Sequence, residues 1–595
     1  MKKLLALTLA VVLLSATLVS CGTTLEKDAE GNLDRGAVIN MYLTDEVYDF
    51  DPQQPVNDDA KLKILHLLFE GLTKLNSKGK WEKAMMDSYT VNPDDRDGYS
   101  ITIELKSSKW TDGRPVQAGD FVTSWKRLVD TNNKGEAASL LYDIKNARAI
   151  NLGDVSVDDL GVSAVDTYTL KVTFENDNVD LDRFFTNLSS IALVPLREDV
   201  LARYGETWSS VTNAVISNGP FAVKAANENG EIRIERSSYY YRDTESNEYL
   251  DTYVIPYRLV TDHSVDLADQ LKAMDENSVF YLGNLPLAER AEYAKKAEVS
   301  DMMSTLTYYF NTENDLFKDA DVRRGLSLAI DREKIAEILT FAEPAEGVVP
   351  EGAFDTSYKT SFRKEGGKLI ESSAKMDDAK KLIGNKKGSF SITVRDNEAD
   401  IAVAEYVAEV WGELGFKVKI KKTGTRAETG IDPATKSVTE YVVDEFDEAY
   451  ANGDFDVIAV DMTMASPDAF GTLAQFAADY SGNGIEMDAE AGYPYYPHIT
   501  GFDSEEYLAI IEKAAKAESA ADRAAALHEA EKMLLEEMPI CPLVTLQSAY
   551  IKSKLLSGFD TDYYGVTDFK RVKMKNYMDY KPAEEGEEEN QGAEE

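Results

Sequence analysis

KWTDGRPVQAGDFVTSWKR, residues 109–127, decides how this chain is read. Trp110 closes an alternating apolar run of Ile101, Ile103 and Leu105, the period of a half-buried strand. Asp112-Gly113 tolerates positive φ and Pro115 fixes the backbone behind it, so the chain must reverse here. Asp120 falls in the first turn of the helix that follows, beside its free amides, and Phe121, Trp125, Leu128 and Val129 recur at i, i+4, i+7 and i+8. That stripe is core, and periodicity by itself yields a hairpin edge feeding a helix.

The whole chain sets the bounds. Its 595 residues allow two or three domains of ordinary size, each with its own core. With 64 Lys plus Arg against 106 Asp plus Glu, the net charge of -42 repels phosphate backbones and argues against nucleic acid as a partner. Residues 1–20 carry two lysines, an apolar run from Leu4 to Leu14 and then Leu18-Val19-Ser20, the pattern of a secretion signal too short to span a membrane. The four residues ending at Cys21 resemble a bacterial lipobox, which implies cleavage before Cys21 and lipidation of that residue. No later apolar run approaches the roughly 20 residues of a spanning helix, so the mature protein is expected to be anchored by acyl chains on the outer face of the cytoplasmic membrane. Cys541 is the only other cysteine; with Cys21 acylated no internal disulfide can form, and Cys541, in an apolar run, reads as a small buried hydrophobe.

Residues 109–127 closely resemble the signature of the extracellular solute-binding proteins of oligopeptide and dipeptide ABC importers. Further stretches follow in the family's order. Asp51-Pro52 precedes an amphipathic helix through Leu62, Leu65 and Leu68 that stops at Phe69-Glu70-Gly71-Leu72, and Asn218-Gly219-Pro220-Phe221 resembles the family's turn into a strand. Tyr308 to Asp331 resembles a strand ending in Phe-Asn-Thr, then a helix opening at Val322-Arg323. Near the end, Met538-Pro539-Ile540 and Pro542-Leu543 resemble the family's proline-flanked strand. Two departures stand out. Gln117 replaces a capping Thr, and Gly325 replaces an Ala at a cost of about 1 kcal/mol if it is interior to the helix. Independently of the family, 389–394, 399–414 and 416–420 alternate strand, helix and strand periods, a βαβ unit, and Phe455 to Val460 has the apolar run of a buried strand.

Rival chemistries find less support. Asp95-Arg96-Asp97-Gly98 suggests a calcium loop, but Pro93 would occupy the first ligand position, and a hairpin turn fits better. Ser372-Ser373-Ala374-Lys375, Lys422-Thr423-Gly424 and Ser481-Gly482-Asn483 match short elements of penicillin-interacting serine hydrolases, in the wrong order. The four histidines are too scattered for a zinc motif, and no phosphate loop occurs, so no metal, cofactor or catalytic residue is expected. Tyr239 to Tyr241 and Tyr493 to Tyr496 are candidates for an aromatic cleft wall, with ordinary packing as the alternative.

The resemblance implies a two-lobed α/β clamshell of the periplasmic-binding-protein type, a monomer that closes on an extended oligopeptide and is then recognised by a membrane permease. Residues 1–20 would be the signal and 21–36 a tether. Residues 37–300 and 477–580 would form lobe one, with a subdomain inserted at about 60–193; 301–476 would form lobe two, and 581–595 an acidic disordered tail. By position in the family, Val56, Asn57, Asp58, Met462, Thr463, Met464 and Ala465 would line the ligand, as would Ser139 and Tyr142. Other solutes on the same fold, an oligosaccharide or a metal chelate, remain alternatives. Peptide-binding relatives often carry Trp-x-Ala-Asp-Tyr here, the Asp pairing with the ligand's amino terminus. This chain reads Met462 to Ser466 instead, with Asp461 the nearest acid, so the resemblance implies an amine clamp weakened or moved to Asp461 or Asp58, an adaptable wall at Met462 and Met464, and tolerance for a blocked terminus.

Overall fold

The structure, a computed structural model, describes residues 37–580 apart from 44–46, 55–58, 134, 210–214, 227–231, 238, 241–256, 262–266, 432–437, 483–485, 488–493 and 496–497. The signal, the tether, Cys21, the tail, and Val56, Asn57 and Asp58 therefore lie outside the described residues, as do Tyr241, Tyr493 and Tyr496.

The signature folds as its residues dictate. Gly113 takes φ +87, Trp110 N–H donates to Arg114 O at 2.8 Å, and Lys109 bridges to Pro115. The helix Ala118–Val129 buries Phe121, Trp125, Leu128 and Val129. Asp120 has a larger part than a dipole partner. Its Oδ2 accepts from Gln117 N–H at 2.8 Å and from the Trp110 indole N–H at 2.9 Å, tying the hairpin to the helix start. Burial raises the Asp120 carboxyl, with those two bonds opposing it. Gly325, the other departure, is no mere loss of propensity: a Cβ there would meet Ile383 Cγ1 at 2.6 Å, so the close approach of the helices Ala320–Leu328 and Met376–Ile383 requires it.

Two hydrophobic cores make two lobes. The first gathers Ile39, Leu65, Trp110, Trp125, Phe185 and Tyr281, and the second gathers Tyr308, Phe317, Trp411, Val457 and Leu473. In the first lobe Ala37–Tyr42 lies parallel between Tyr257–Thr261 and Tyr281–Leu282, and the hairpin Phe221–Ala226 with Ile232–Arg236 extends the sheet. A separate four-stranded antiparallel sheet, running from Met86–Asn92 to Val162–Ala164, lies within 60–193. In the second lobe Ser389–Arg395 and Lys417–Thr423 pair in parallel across the helix Glu398–Glu413, the βαβ unit read from the sequence. Two long antiparallel strands, Glu298–Phe310 and Ile540–Lys552, pair with each other and run from one sheet into the other.

One boundary differs from the sequence reading. The described residues of 477–545 do not side with the first lobe: Tyr507, Ile511, Leu527, Leu534, Cys541 and Val544 all pack in the second core. The helices Glu505–Ala515 and Ala520–Glu537 bury their stripes against each other and against Ala469–Ala474, and the chain regains the first lobe only along Ile540–Lys552. Ser504 caps the first of these helices, its side chain accepting from Tyr507 N–H. Cys541 is fully buried, with Arg332 Nη2 3.6 Å from its sulfur.

Candidate functional site: the cleft between the lobes

The strand Val457–Thr463 lies at the edge of the cleft. On one side Ser304 to Phe310 pairs with it along its whole length, while on the other Ser389–Arg395 reaches only Val457 and Ile458. From Ala459 onward the strand thus has a strand neighbour on one side alone among the described residues. Beyond its end, the chain turns into a cavity of about 80 Å³ with walls from both lobes. Gln53, Glu136, Leu140 and Ile191 come from the first lobe, and Thr463, Met464, Ala465 and Gln475 from the second.

The residues named from the sequence divide here. Thr463, Met464 and Ala465 line the cavity, and Thr463 Oγ1 is within 3.0 Å of Ser304 Oγ. Met464 and Met462 are only 2% and 4% exposed and belong to the second core, so Met462 supports the strand from behind and is no cleft wall. The alternation of a strand explains this, since Asp461 and Thr463 share the face that Met462 leaves. Asp461 lines a different cavity beside the two long strands. Ser139 is buried with no partner for its Oγ, next to Leu140 of the cavity. Tyr142 turns its hydroxyl to Asn151 Oδ1 at 2.8 Å and packs against Tyr480 at 5.7 Å, so it joins the lobes and does not face the cavity; burial raises its phenol. Val56, Asn57 and Asp58 fall outside the described residues, between Gln54 in the cleft cavity and Asp59 in the other. Of the tyrosine runs, Tyr240 is buried and donates to Glu70 Oε2 at 2.7 Å, whereas Tyr239 is exposed beside Gly113.

Gln53, Glu136, Ile191 and Gln475 are among the cleft residues that the sequence reading did not name. Gln53, two residues past Asp51, is held by Arg127 of the signature helix, whose Nη1 donates to Gln53 Oε1 at 2.6 Å. Glu136 accepts a short hydrogen bond from the Tyr450 hydroxyl across the lobes, and burial raises its carboxyl against that bond. Gln475 donates to Thr472 O at 2.9 Å, while its Oε1, on a residue 6% exposed at the cavity wall, has no partner. Only Gln53 and Glu136 stand near motifs that could have flagged them.

Around this cavity the lobes touch. Gly135 N–H donates to Gly482 O at 2.9 Å, Ser466 Oγ to Asn187 Oδ1 at 2.7 Å, and Arg148 pairs with Asp479 at 2.8 Å above the Tyr480 ring. The elements of a serine hydrolase do not come together as a triad would. Ser372 Oγ donates to Glu333 Oε1 at 2.8 Å, Lys422 pairs with Asp396, and Ser481 is buried beside Tyr480. A larger cavity of about 770 Å³ opens on the second lobe, but Arg363 and Lys364 on its wall are paired with Glu531 and Glu351.

The arrangement suits an extended, hydrogen-bonding ligand, because a one-sided strand offers main-chain donors and acceptors in register while the opposite lobe closes over it. Comparison with known proteins agrees with the architecture. The family description "bacterial extracellular solute-binding proteins, family 5 middle" matches residues 80–484. The chain is 26% identical to the dipeptide-binding protein DppE of Bacillus subtilis over 572 residues, covering 94% of this chain and 96% of that protein. It is 25% identical to the oligopeptide-binding protein OppA of the same organism over 567 residues, covering 92% and 94%. Among solved structures, Listeria monocytogenes OppA bound to peptide superposes with a TM-score of 0.73 at 22% identity, over 91% of this chain and 99% of that one.

Proposed function

The chain belongs to the bacterial extracellular solute-binding proteins of family 5, and from that premise we propose that it captures extended oligopeptides between its lobes and delivers them to the permease of an ABC importer. The observation that carries the reading is the strand Val457–Thr463, paired on one side only past Ile458 and running into a cavity walled by both lobes. A peptide added along that edge satisfies its own amides and carbonyls, and the small cavity takes a side chain against Leu140, Ile191 and Met464. No covalent step is involved. The lobes, divided within Ile540–Lys552 and near Ser300, close by rigid-body motion, and the closed form is what the permease recognises.

The pattern ending at Cys21 supports an acylated lipoprotein held outside the cytoplasmic membrane, and among the described residues no helix is long and apolar enough to cross a membrane. The protein works as a monomer. Mass spectrometry of ligand that co-purifies with the protein tests the substrate class: peptides are expected, and a sugar or chelate overturns the reading. Peptide at about 100 times its dissociation constant should add about 2.7 kcal/mol of stability in a thermal shift.

A further inference from the structure

Between Gly424 and Glu445 the second lobe puts out an arm. Thr425–Ile431 and Val438–Asp444 pair antiparallel along their whole length, and among the described residues neither pairs with any other strand. The root is tied down: Glu445 N–H donates to Gly424 O at 3.0 Å, and Gly424 N–H to Glu445 Oε2 at 3.1 Å. Beyond the root a charged network stiffens the hairpin. Arg426 Nη2 donates to Glu428 Oε1 at 2.8 Å and to Glu448 Oε1 at 2.6 Å, while the Tyr441 hydroxyl donates to Glu428 Oε2 at 2.9 Å. A lone two-stranded hairpin is marginal in water, and apart from the helix Glu445–Asn452 that follows, little of its own lobe packs on this one.

The two faces of the hairpin differ. Arg426, Glu428 and Gly430 are half-buried, whereas Thr425, Ala427 and Thr429 between them are exposed, so one face turns to the molecule and the other to solvent. Far from the root, the inner face meets the other lobe. A Cβ on Gly430 would stand 3.6 Å from Thr207 Cγ2, an ordinary contact distance, and Thr207 adjoins Trp208 of the first core. Both ends of the arm thus stand beside walls of the cleft. Near the root, Tyr450 of the helix Glu445–Asn452 donates to Glu136 of the cleft cavity. Burial depresses the Lys61 ammonium of the first lobe, but Asp49 and then Asp447, on that same helix, bring it up to about 12. At the far end, Ser209 accepts from Phe50 N–H at 3.2 Å and donates to Asp49, on the segment that leads to Gln53 of the cavity. Seven residues of strand cover about 20 Å between these points. A ligand running on in that direction would have to lift the arm off the first lobe.

We propose that the hairpin 425–444 bars one end of the peptide groove to extension of the ligand, and so decides which terminus of a captured peptide can project. The proposal rests on the peptide reading above. A pentapeptide matches the open strand edge from Ala459 to Thr463, so random pentapeptides are offered to the purified protein in three forms: unextended, with six prolines added at the amino end, and with six prolines added at the carboxyl end. Six prolines in the polyproline conformation reach about 19 Å and are too stiff to fold back. Capture, quantified by mass spectrometry, should fall at least about tenfold for one extension relative to the unextended pool. In a variant with residues 429–440 removed and Glu428 joined to Tyr441 through Asn-Gly, a two-residue turn that keeps the root and its charged network, capture of the barred form should recover by at least about tenfold. Arg426→Ala, which unties the arm from Glu448 without entering the core, should recover it in part. Equal tolerance of both extensions by the unaltered protein overturns the bar and leaves the peptide reading standing. A barred end that neither variant reopens, with melting profiles unchanged, places the obstruction elsewhere and also overturns the proposal. Failure to capture even the unextended pool overturns the peptide reading itself.

Discussion

Gly482→Ala should uncouple closure from folding. Gly482 sits where the lobes meet, with φ +71, and its carbonyl accepts the Gly135 N–H at 2.9 Å. A Cβ at this position would stand 2.9 Å from Gly135 C and closer still to the Gly135 carbonyl oxygen, both main-chain atoms that cannot swing aside. Carbon atoms settle at about 3.5–4.0 Å, so the two backbones must part by roughly 1 Å, which breaks the hydrogen bond. That bond contributes about 1 kcal/mol, and loosening the neighbouring Tyr142–Tyr480 and Arg148–Asp479 contacts adds about as much again. The closed form thus loses about 2 kcal/mol relative to the open one, and peptide affinity should fall about 30-fold. The positive φ is a separate cost of about 1 kcal/mol, present whether the lobes are open or closed, and it appears in the melting temperature of the ligand-free protein. Gly384→Ala supplies the control, because Gly384 has φ +60 with nothing within 4 Å of an added Cβ. It should melt earlier yet bind normally. Calorimetric titration of both variants with a peptide recovered from the purified protein decides the matter, and an affinity in Gly482→Ala no weaker than in Gly384→Ala would refute the argument.

Other outcomes follow from residues already described. Replacing Cys21 with Ala should release the protein from the membrane; a processed Cys21→Ala chain that resists washing from the membrane fraction would rule out the lipid anchor. Small-angle scattering should show a smaller radius of gyration on saturation with peptide, and an unchanged radius would count against closure by the lobes. His498 is buried against Phe476, its Nδ1 accepts from Thr500 N–H at 3.2 Å, and burial lowers its pKa to about 3. Between about pH 6.5 and that value the unfolded chain binds a proton that the folded one refuses, so stability is full above about pH 6.5 and falls with acid by a few kcal/mol. Denaturant melts of His498→Gln between pH 7 and 4 should be flatter, and an equal slope in both proteins would show that this histidine does not set the acid limit. Glu531 is fully buried and accepts from Arg363 and from the amides of Val348 and Val349. Glu531→Gln leaves the Arg363 charge uncompensated and should cost about 3–5 kcal/mol in urea unfolding; a loss below about 1 kcal/mol would mean that water reaches the pair.

Local chemistry made most of this fold legible. The turn at Asp112-Gly113, the stripe from Phe121 to Val129 and the βαβ unit after Ser389 are each written within about 30 residues, and each stands where its residues place it. The side taken by residues 477–545 is not written locally. An amphipathic helix such as Glu505–Ala515 announces that it buries Tyr507 and Ile511, but either core could receive them. The same limit governs the site. The run from Met462 to Ala465 was locatable by its place in the family's order, yet which residues face the ligand depends on strand phase, and Met462 falls on the core side. Gln475 becomes visible only when the tertiary fold brings its partnerless oxygen to a cavity wall.

The two strands that join the lobes are bonded to each other, from Glu298 opposite Tyr550 to Tyr309 opposite Ile540, with the ladder interrupted between Asp301 and Thr305 and again between Leu306 and Thr307. A single strand could swivel about its own axis and let the lobes wander independently. A paired ribbon resists torsion and in-plane shear and yields easily only across its flat face, like a leaf spring thinned over one short stretch. The two interruptions, within residues 301–307, fix where it yields. The lobes are therefore left with close to one degree of freedom, and a permease docking on both has only a single angle to read.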